Sequence, residues 1–127
     1  MTPEQMRIAL SQAFPTILRR WQQVPDGDFS EEYKDGNGWH QCLEDDLLRD
    51  ANAALEIVAM MRERGWNVTL ENGLDGTWDA LFHKPDYEGS PKEHRGVIQG
   101  EERVIYYGAA DTVQLAICAA ACAALSL

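Results

Sequence analysis

The sequence has few basic residues, no long hydrophobic run and only three cysteines. Of its 127 residues, 11 are Lys or Arg and 21 are Asp or Glu, so the formal net charge is −10. Nucleic-acid phosphates and anionic lipids repel such a chain. The longest apolar run, 115–125, has 11 residues, whereas a membrane-spanning helix needs about 20. We therefore expect neither nucleic acid nor a membrane as a direct partner.

The cysteines and residues 1–7 indicate the cellular compartment in which the protein works. Cys118 and Cys122 lie four residues apart in an alanine-rich segment, where they share one face of a helix. Two such residues are more typical of a buried apolar surface than of a disulfide. Residues 1–7 lack the basic region and apolar stretch of a secretory signal. We expect a reducing cytoplasm.

The composition is sufficient for a folded core. Hydrophobic residues make up 45% of the chain, with four Trp, four Tyr and three Phe, which excludes a disordered acidic tail. The length suits one domain, or one domain with a terminal appendage. We predict an N-terminal helix and acidic loop as an appendage over residues 1–42, and a core domain of order α-β-β-(β)-β-α over residues 43–127.

The N-terminal region carries a clear helix-start signal. Thr2 and Gln5 can form a capping box, and Pro3 suits the first helical position. Pro15 disfavours helical geometry at the residue before it, so this helix is predicted to stop or kink there. The apolar spacing over residues 17–21 predicts a further turn or two of helix.

Two contrasting patterns follow. Residues 25–38 contain three glycines and few periodic apolar positions, which predicts a loop. Apolar residues at three- and four-residue steps over residues 43–64 predict the longest helix. Its start is acidic and its end basic, as the helix dipole favours, and Gly65 is the predicted cap.

The pattern then changes to a period of two. Residues 66–71 and 77–83 alternate apolar and polar positions around a glycine-rich turn, which predicts a hairpin. Residues 97–98 and 103–107 predict a second hairpin around Gly100.

The last helix is predicted to begin with Asp111 as its cap. From Val113 to Leu125 only Gln114 is polar, so this helix must be covered on more than one side. The predicted fold class is α+β, with an antiparallel sheet of three or four strands covered by helices.

Most of the negative charge lies in one fifth of the chain. From Asp26 to Asp50 there are nine acidic residues against Lys34 and Arg49, a balance of −7. A plain interpretation is a solvated face that aids solubility. The functional interpretation is a surface that occupies a Lys/Arg groove meant for phosphates, with interleaved aromatic residues as the centre of an interface. The predicted partner-binding residues are Asp26, Asp28, Phe29, Glu31, Glu32, Tyr33, Asp35, Trp39, Glu44, Asp45 and Asp46.

Metal sites are less well supported by the sequence. Residues 26–37 begin like a calcium loop, but Glu31 stands where the loop requires Gly and Asn37 where it requires Glu. His40 and Cys42 are two residues apart, but the other histidines are remote and a structural zinc site needs four ligands. We predict no metal, no cofactor and no catalytic residues.

Two stretches carry a family resemblance. They read DANAALEIVAMMRERGWNVTL at 50–70 and VIYYGAADTVQLAICAAACAAL at 104–125. Residues 43–127 resemble the small bacteriophage proteins of the phage ABA sandwich domain family, with an insertion near residues 85–102. The resemblance implies phage origin, a helix–sheet–helix layering and no obvious catalytic site. The element order also resembles double-stranded RNA-binding domains, but residues 109–112 lack the Lys/Arg cluster that those domains use.

The main expectation is a phage-encoded, non-enzymatic binding protein that inhibits or modulates a host protein in the bacterial cytoplasm. The expected target has a basic surface, as a CRISPR effector or another defence nuclease does, so the activity would be anti-CRISPR-like nucleic-acid mimicry. Two alternatives stay open. One is a phage accessory or assembly homodimer that associates through helix 112–125 or the sheet face. The other is a small metal-dependent hydrolase near His40, His83 or His94.

Overall fold

The fold combines helices with two antiparallel sheets in one chain. The computed structural model describes residues 1–23, 27–86 and 90–126. In these ranges the helices are α1 (Pro3–Ala13), α2 (Ala51–Glu63) and α3 (Val113–Ala124). The α+β class predicted from the sequence is confirmed, and one of the two sheets has the predicted four strands. None of the helices in these ranges is both long and apolar enough to cross a membrane.

The smaller sheet lies in the N-terminal third of the chain. It consists of β1 (Leu18–Gln22), β2 (Phe29–Asp35) and β3 (Gly38–Gln41), with β2 in the centre. The pairing places Arg20 opposite Glu31 and Lys34 opposite Trp39. Because side chains alternate between the faces of a strand, Arg20 and Glu31 share the face that looks towards the helices.

Two predictions for this region are wrong. Residues 17–21 were expected to be helical, and residues 25–38 were expected to form a loop, but β1 and β2 lie there. The alternation of β2 is hidden because Phe29, Glu31 and Tyr33 share one face of the strand and the central residue of the three is charged. Glu31 is nevertheless fully buried, so a charged residue occupies a core position of the strand.

The predicted helix over residues 43–64 begins later than expected. Residues Leu43–Asp45 and Leu47–Arg49 form separate 3-10 turns, and α2 starts at Ala51. Asp50 caps α2 by accepting hydrogen bonds from the backbone N–H groups of Asn52 and Ala53 at 2.9 and 3.2 Å. Its other oxygen accepts from the N–H of Leu43 at 2.8 Å. The Asp50 carboxylate therefore joins the 3-10 turn at Leu43 to the first turn of α2, and the chain between them is not a continuous helix.

The larger sheet confirms both predicted hairpins. Its strands are β4 (Asn67–Asn72), β5 (Trp78–Pro85), β6 (Arg95–Ile98) and β7 (Glu101–Ala110), in the order β4-β5-β7-β6. The hairpin between β6 and β7 turns at Gln99 and Gly100, both with positive φ.

The helix ends follow the capping rules, with one correction. Thr2 and Gln5 form the predicted capping box at the start of α1. The predicted cap of α3 was Asp111, but the hydroxyl of Thr112 accepts the hydrogen bond, from the N–H of Leu115 at 3.3 Å. The cap lies one residue later because Thr112, unlike Asp111, places its side-chain oxygen over the first turn.

The helices cover the inner faces of the sheets around one hydrophobic core. This core includes Leu10 of α1, Ile57 of α2, Phe82 of β5 and Ile117 of α3. Residues 1–42 therefore contribute to the same core as residues 43–127. The opposite face of the larger sheet carries Tyr107, which is 58% exposed.

The contact between α3 and the larger sheet depends on a glycine. A Cβ at Gly108 of β7 would lie 2.5 Å from the carbonyl oxygen of Ala116 and 2.5 Å from the backbone nitrogen of Ala120. Both neighbours are backbone atoms, which cannot move aside as the end of a flexible side chain can. The small residues of α3 and Gly108 therefore allow the helix to lie directly on the strand.

We expect Gly108→Ala to lower the free energy of unfolding by about 3 kcal/mol, because the added methyl group forces α3 away from β7. Urea denaturation followed by circular dichroism measures this change. The matched control is Gly36→Ala, where the added Cβ meets nothing within 4 Å. Equal stability of the two variants would contradict the close contact.

Candidate functional site

Glu31 is the centre of a charged cluster between α1, the smaller sheet and the 43–49 segment. Its side chain is fully buried. One carboxylate oxygen, Oε1, accepts hydrogen bonds from Arg7 Nε at 2.8 Å and from the backbone N–H of Leu47 at 3.0 Å. The other, Oε2, lies 3.5 Å from Arg20 Nε. One carboxylate thus connects a helix, two strands and a turn.

The two arginines extend this cluster towards the surface. Arg7 also lies 3.4 Å from Glu4 and 3.5 Å from Asp46, and it donates to the carbonyl oxygen of Asp45. Burial opposes the charge of Arg7, but its hydrogen bond to Glu31 and the nearby carboxylates outweigh that effect and raise its pKa. Arg20 pairs with Glu4, and its guanidinium lies 3.8 Å from the ring centroid of Phe29.

Above this cluster lies an open groove of about 400 Å³, which we call the acidic groove. Arg7 and Arg20 form its floor, and Phe29 is 41% exposed at its side. Its carboxylates are those of Glu4, Asp28, Glu44, Asp45 and Asp46. Five carboxylates face the guanidiniums of Arg7 and Arg20, one of whose charges Glu31 neutralises from below. Arg49, outside the groove lining, pairs with Glu44, and the groove still has an excess of negative charge.

The rim of the groove contains strained backbone. Glu44 and Asp45 both have positive φ, at 53° and 57°. This left-handed conformation is uncommon for residues other than glycine and stores strain of about 1 kcal/mol or more at each position. Both side chains line the acidic groove.

The predicted partner-binding residues lie in several separate parts of the structure. Asp28, Phe29, Glu44, Asp45 and Asp46 line the acidic groove. Glu31 and Tyr33 are buried, so the expectation that a partner touches them does not agree with their position. Asp26 lies outside the described residues.

The remaining predicted residues lie on other parts of the smaller sheet. Glu32 and Trp39 are on its outer face, where Arg19 lies 3.0 Å from Glu32 and 4.1 Å from the Trp39 ring centroid. Asp35 lies at the hairpin between β2 and β3, where it accepts from the N–H of Asn37 at 2.7 Å and contacts His40 at 2.8 Å. These bonds lower the pKa of Asp35.

Sequence reasoning missed Glu4, Arg7 and Arg20 as parts of the site. They lie in α1 and β1, outside the acidic segment of residues 26–50, from which the partner-binding residues were predicted. The available signal was the excess of positive charge over residues 1–25, where three arginines stand against Glu4 alone. All three of those arginines pair with carboxylates of the acidic segment, Arg7 and Arg20 with Glu31 and Arg19 with Glu32.

The residues considered for zinc have other roles. His40 stacks on Tyr33 with ring centroids 5.2 Å apart. Cys42 is buried, and burial followed by the negative charge of Asp50 raises the pKa of its thiol. That thiol is therefore protonated at neutral pH, whereas zinc binding and nucleophilic attack need the thiolate. Within residues 1–23, 27–86 and 90–126, no three His, Cys, Asp or Glu side chains form a metal-binding group.

His83 belongs to a separate polar network on the larger sheet. Arg103 Nε donates to His83 Nδ1 at 2.8 Å, and His83 Nε2 lies 3.1 Å from the hydroxyl oxygen of Thr69. An imidazole that accepts at Nδ1 carries its proton at Nε2, so it donates to Thr69. Burial, and then the positive charge of Arg103, lower the pKa of His83.

We expect Glu31→Gln to lower the free energy of unfolding by about 3 kcal/mol, because it removes the buried carboxylate that Arg7 and Arg20 share and leaves them only the more exposed Glu4 and Asp46. The matched control is Glu32→Gln, one residue along the same strand, whose pair with the half-exposed Arg19 is worth less than about 1 kcal/mol. Chemical denaturation of both variants measures the difference. Similar losses in the two would contradict the central role of Glu31.

Because the pKa of His83 is lowered in the folded protein, we expect the free energy of unfolding to decrease as the pH falls below 6.5, the ordinary pKa of histidine. The folded state holds His83 neutral, so below that value the unfolded state binds more protons. The loss reaches at most about 1.4 kcal/mol per pH unit. Urea unfolding between pH 7.5 and 5.5 measures it. His83→Gln should flatten this dependence, and an unchanged slope in that variant contradicts the assignment.

No protein-family model, curated protein or solved structure matches this chain. What its surface binds is therefore inferred from the contacts and charges described above.

Proposed function

We propose that this protein is a non-enzymatic binding protein that inhibits or modulates a basic partner protein through the acidic groove. The observation that carries the proposal is the groove itself, with five carboxylates, an excess of negative charge and an exposed phenylalanine. A Lys or Arg side chain of the partner fits this arrangement, because its charged end meets the carboxylates while its aliphatic stem packs on Phe29.

The rigidity of the groove supports the proposal further. Binding costs less when the contacting side chains are already ordered. Asp46 accepts from the N–H of Leu48 at 3.0 Å, and Asp45 accepts a hydrogen bond from the side chain of Gln41. Glu44 pairs with Arg49. Asp45, Asp46 and Glu44 are therefore held in place before a partner arrives.

The proposed partner class follows from the charge. A surface rich in carboxylates competes with nucleic-acid phosphates for a basic groove, so we propose a host nucleic-acid-handling protein, such as a CRISPR effector or another defence nuclease. A phage origin is part of this proposal, as the resemblance of residues 43–127 to the phage ABA sandwich domain family implies. The proposed compartment is the bacterial cytoplasm, where the buried thiols of Cys42, Cys118 and Cys122 stay reduced.

The proposal is tested by the triple variant Asp28→Asn, Glu44→Gln and Asp45→Asn. Its partner is first captured from a host lysate at low salt, identified by mass spectrometry and purified. We expect the triple variant to bind that partner at least about tenfold more weakly, and wild-type affinity to fall as salt increases. Isothermal titration calorimetry measures both effects.

The matched control removes the same charge elsewhere. Glu63, Glu71 and Glu93 are exposed and lie outside the groove, so their joint replacement by Gln should leave affinity nearly unchanged. If both triple variants weaken binding equally, the total charge and not the groove determines recognition. If neither does, the proposed function is wrong.

A further inference from the structure

A second groove adjoins the acidic groove on the other side of the 43–49 segment. It has a volume of about 530 Å³ and lies between this segment and the start of α3. Leu43, Leu48 and Leu115 line it together with Pro3, and we call it the leucine groove. Leu43 is 61% exposed, whereas Leu48 is only 5% exposed. Leu43 therefore offers a large apolar side chain to solvent above an apolar floor.

One hydrogen bond joins the two walls of the leucine groove. The side-chain amide of Gln114 on α3 donates to the carbonyl oxygen of Arg49 at 3.2 Å. This bond joins the start of α3 to the end of the 43–49 segment, so the groove keeps its width without a ligand. A groove with fixed walls is a better binding site than one that must open.

The two grooves meet at one residue. Asp46 lines both of them, and the consecutive residues Leu43 and Glu44 line one groove each. The positive φ of Glu44 turns the chain between these two side chains. The grooves are therefore neighbouring parts of one surface, the first acidic and the second mainly apolar, with Arg49 and Asp111 also in its lining.

We infer that the two grooves bind one extended segment of the partner, with a basic side chain in the acidic groove and an aliphatic side chain in the leucine groove. This inference rests on the proposed function and specifies its partner. Charge complementarity places the basic residue, and continuity across Asp46 places the aliphatic residue close to it. Side chains two positions apart on an extended segment lie about 7 Å apart on the same side, so a basic–any–aliphatic sequence can reach both grooves.

Three short peptides test the inference directly. They are acetylated and amidated Arg-Ser-Leu, Arg-Ser-Ser and Gln-Ser-Leu, each titrated into the full chain while amide chemical shifts are followed by NMR. We expect Arg-Ser-Leu to bind about tenfold more tightly than Arg-Ser-Ser. We also expect it to shift the amides of Leu48 and Leu115 together with those of Phe29 and Glu44. Gln-Ser-Leu should bind more weakly than Arg-Ser-Leu.

A pair of leucine variants supplies the control. Leu43→Ser should remove the advantage of Arg-Ser-Leu over Arg-Ser-Ser. Leu55→Ser, at a similarly exposed leucine of α2 (57%), should retain it. Both positions are exposed, so neither change is expected to unfold the chain.

The possible results separate the inference from the proposed function. If Arg-Ser-Leu and Arg-Ser-Ser bind equally and shift only residues of the acidic groove, the leucine groove has no part in recognition and the inference is overturned. If neither arginine peptide shifts the acidic groove, the proposed function fails as well.

Discussion

The N-terminal half of this protein depends on one buried carboxylate. Glu31 lies in the centre of the smaller sheet and accepts hydrogen bonds from Arg7 of α1 and from the backbone of Leu47, with Arg20 of β1 alongside. A buried charge is costly unless it is paired and hydrogen-bonded. The elements that supply these partners must therefore come together for β2 to fold with Glu31 inside, which couples α1, β1 and the 43–49 segment.

The same interaction explains the shape of the surface above it. Arg7 and Arg20 reach down to Glu31 and leave their outer edges as the floor of the acidic groove. Their positive charge is largely neutralised from below and by Glu4, so the carboxylates around the rim determine the sign of the surface. A buried ion cluster contributes little net stability on average, and here it gives a fixed position to the groups that line the acidic groove.

The 43–49 segment converts this arrangement into two adjoining grooves. Asp46 and Asp50 satisfy backbone N–H groups that a continuous helix would have used internally. The helix is thereby delayed, and Glu44 and Asp45 take left-handed conformations. Had the segment been helical, its acidic residues would have helped the helix dipole and spread around the axis. The irregular segment instead separates an acidic surface from an apolar one.

The sequence by itself determined the elements whose signals are local. The capping box of α1, both hairpins of the larger sheet and the apolar α3 follow from periodicity, turn residues and caps, each read within a few positions. The tertiary structure alone decided β1 and β2, because the charged residues Arg20 and Glu31 take inward positions that a sequence pattern assigns to apolar side chains. It also decided which acidic residues face solvent: the chain supplies the charge, but its distribution between core and groove depends on contacts between distant residues.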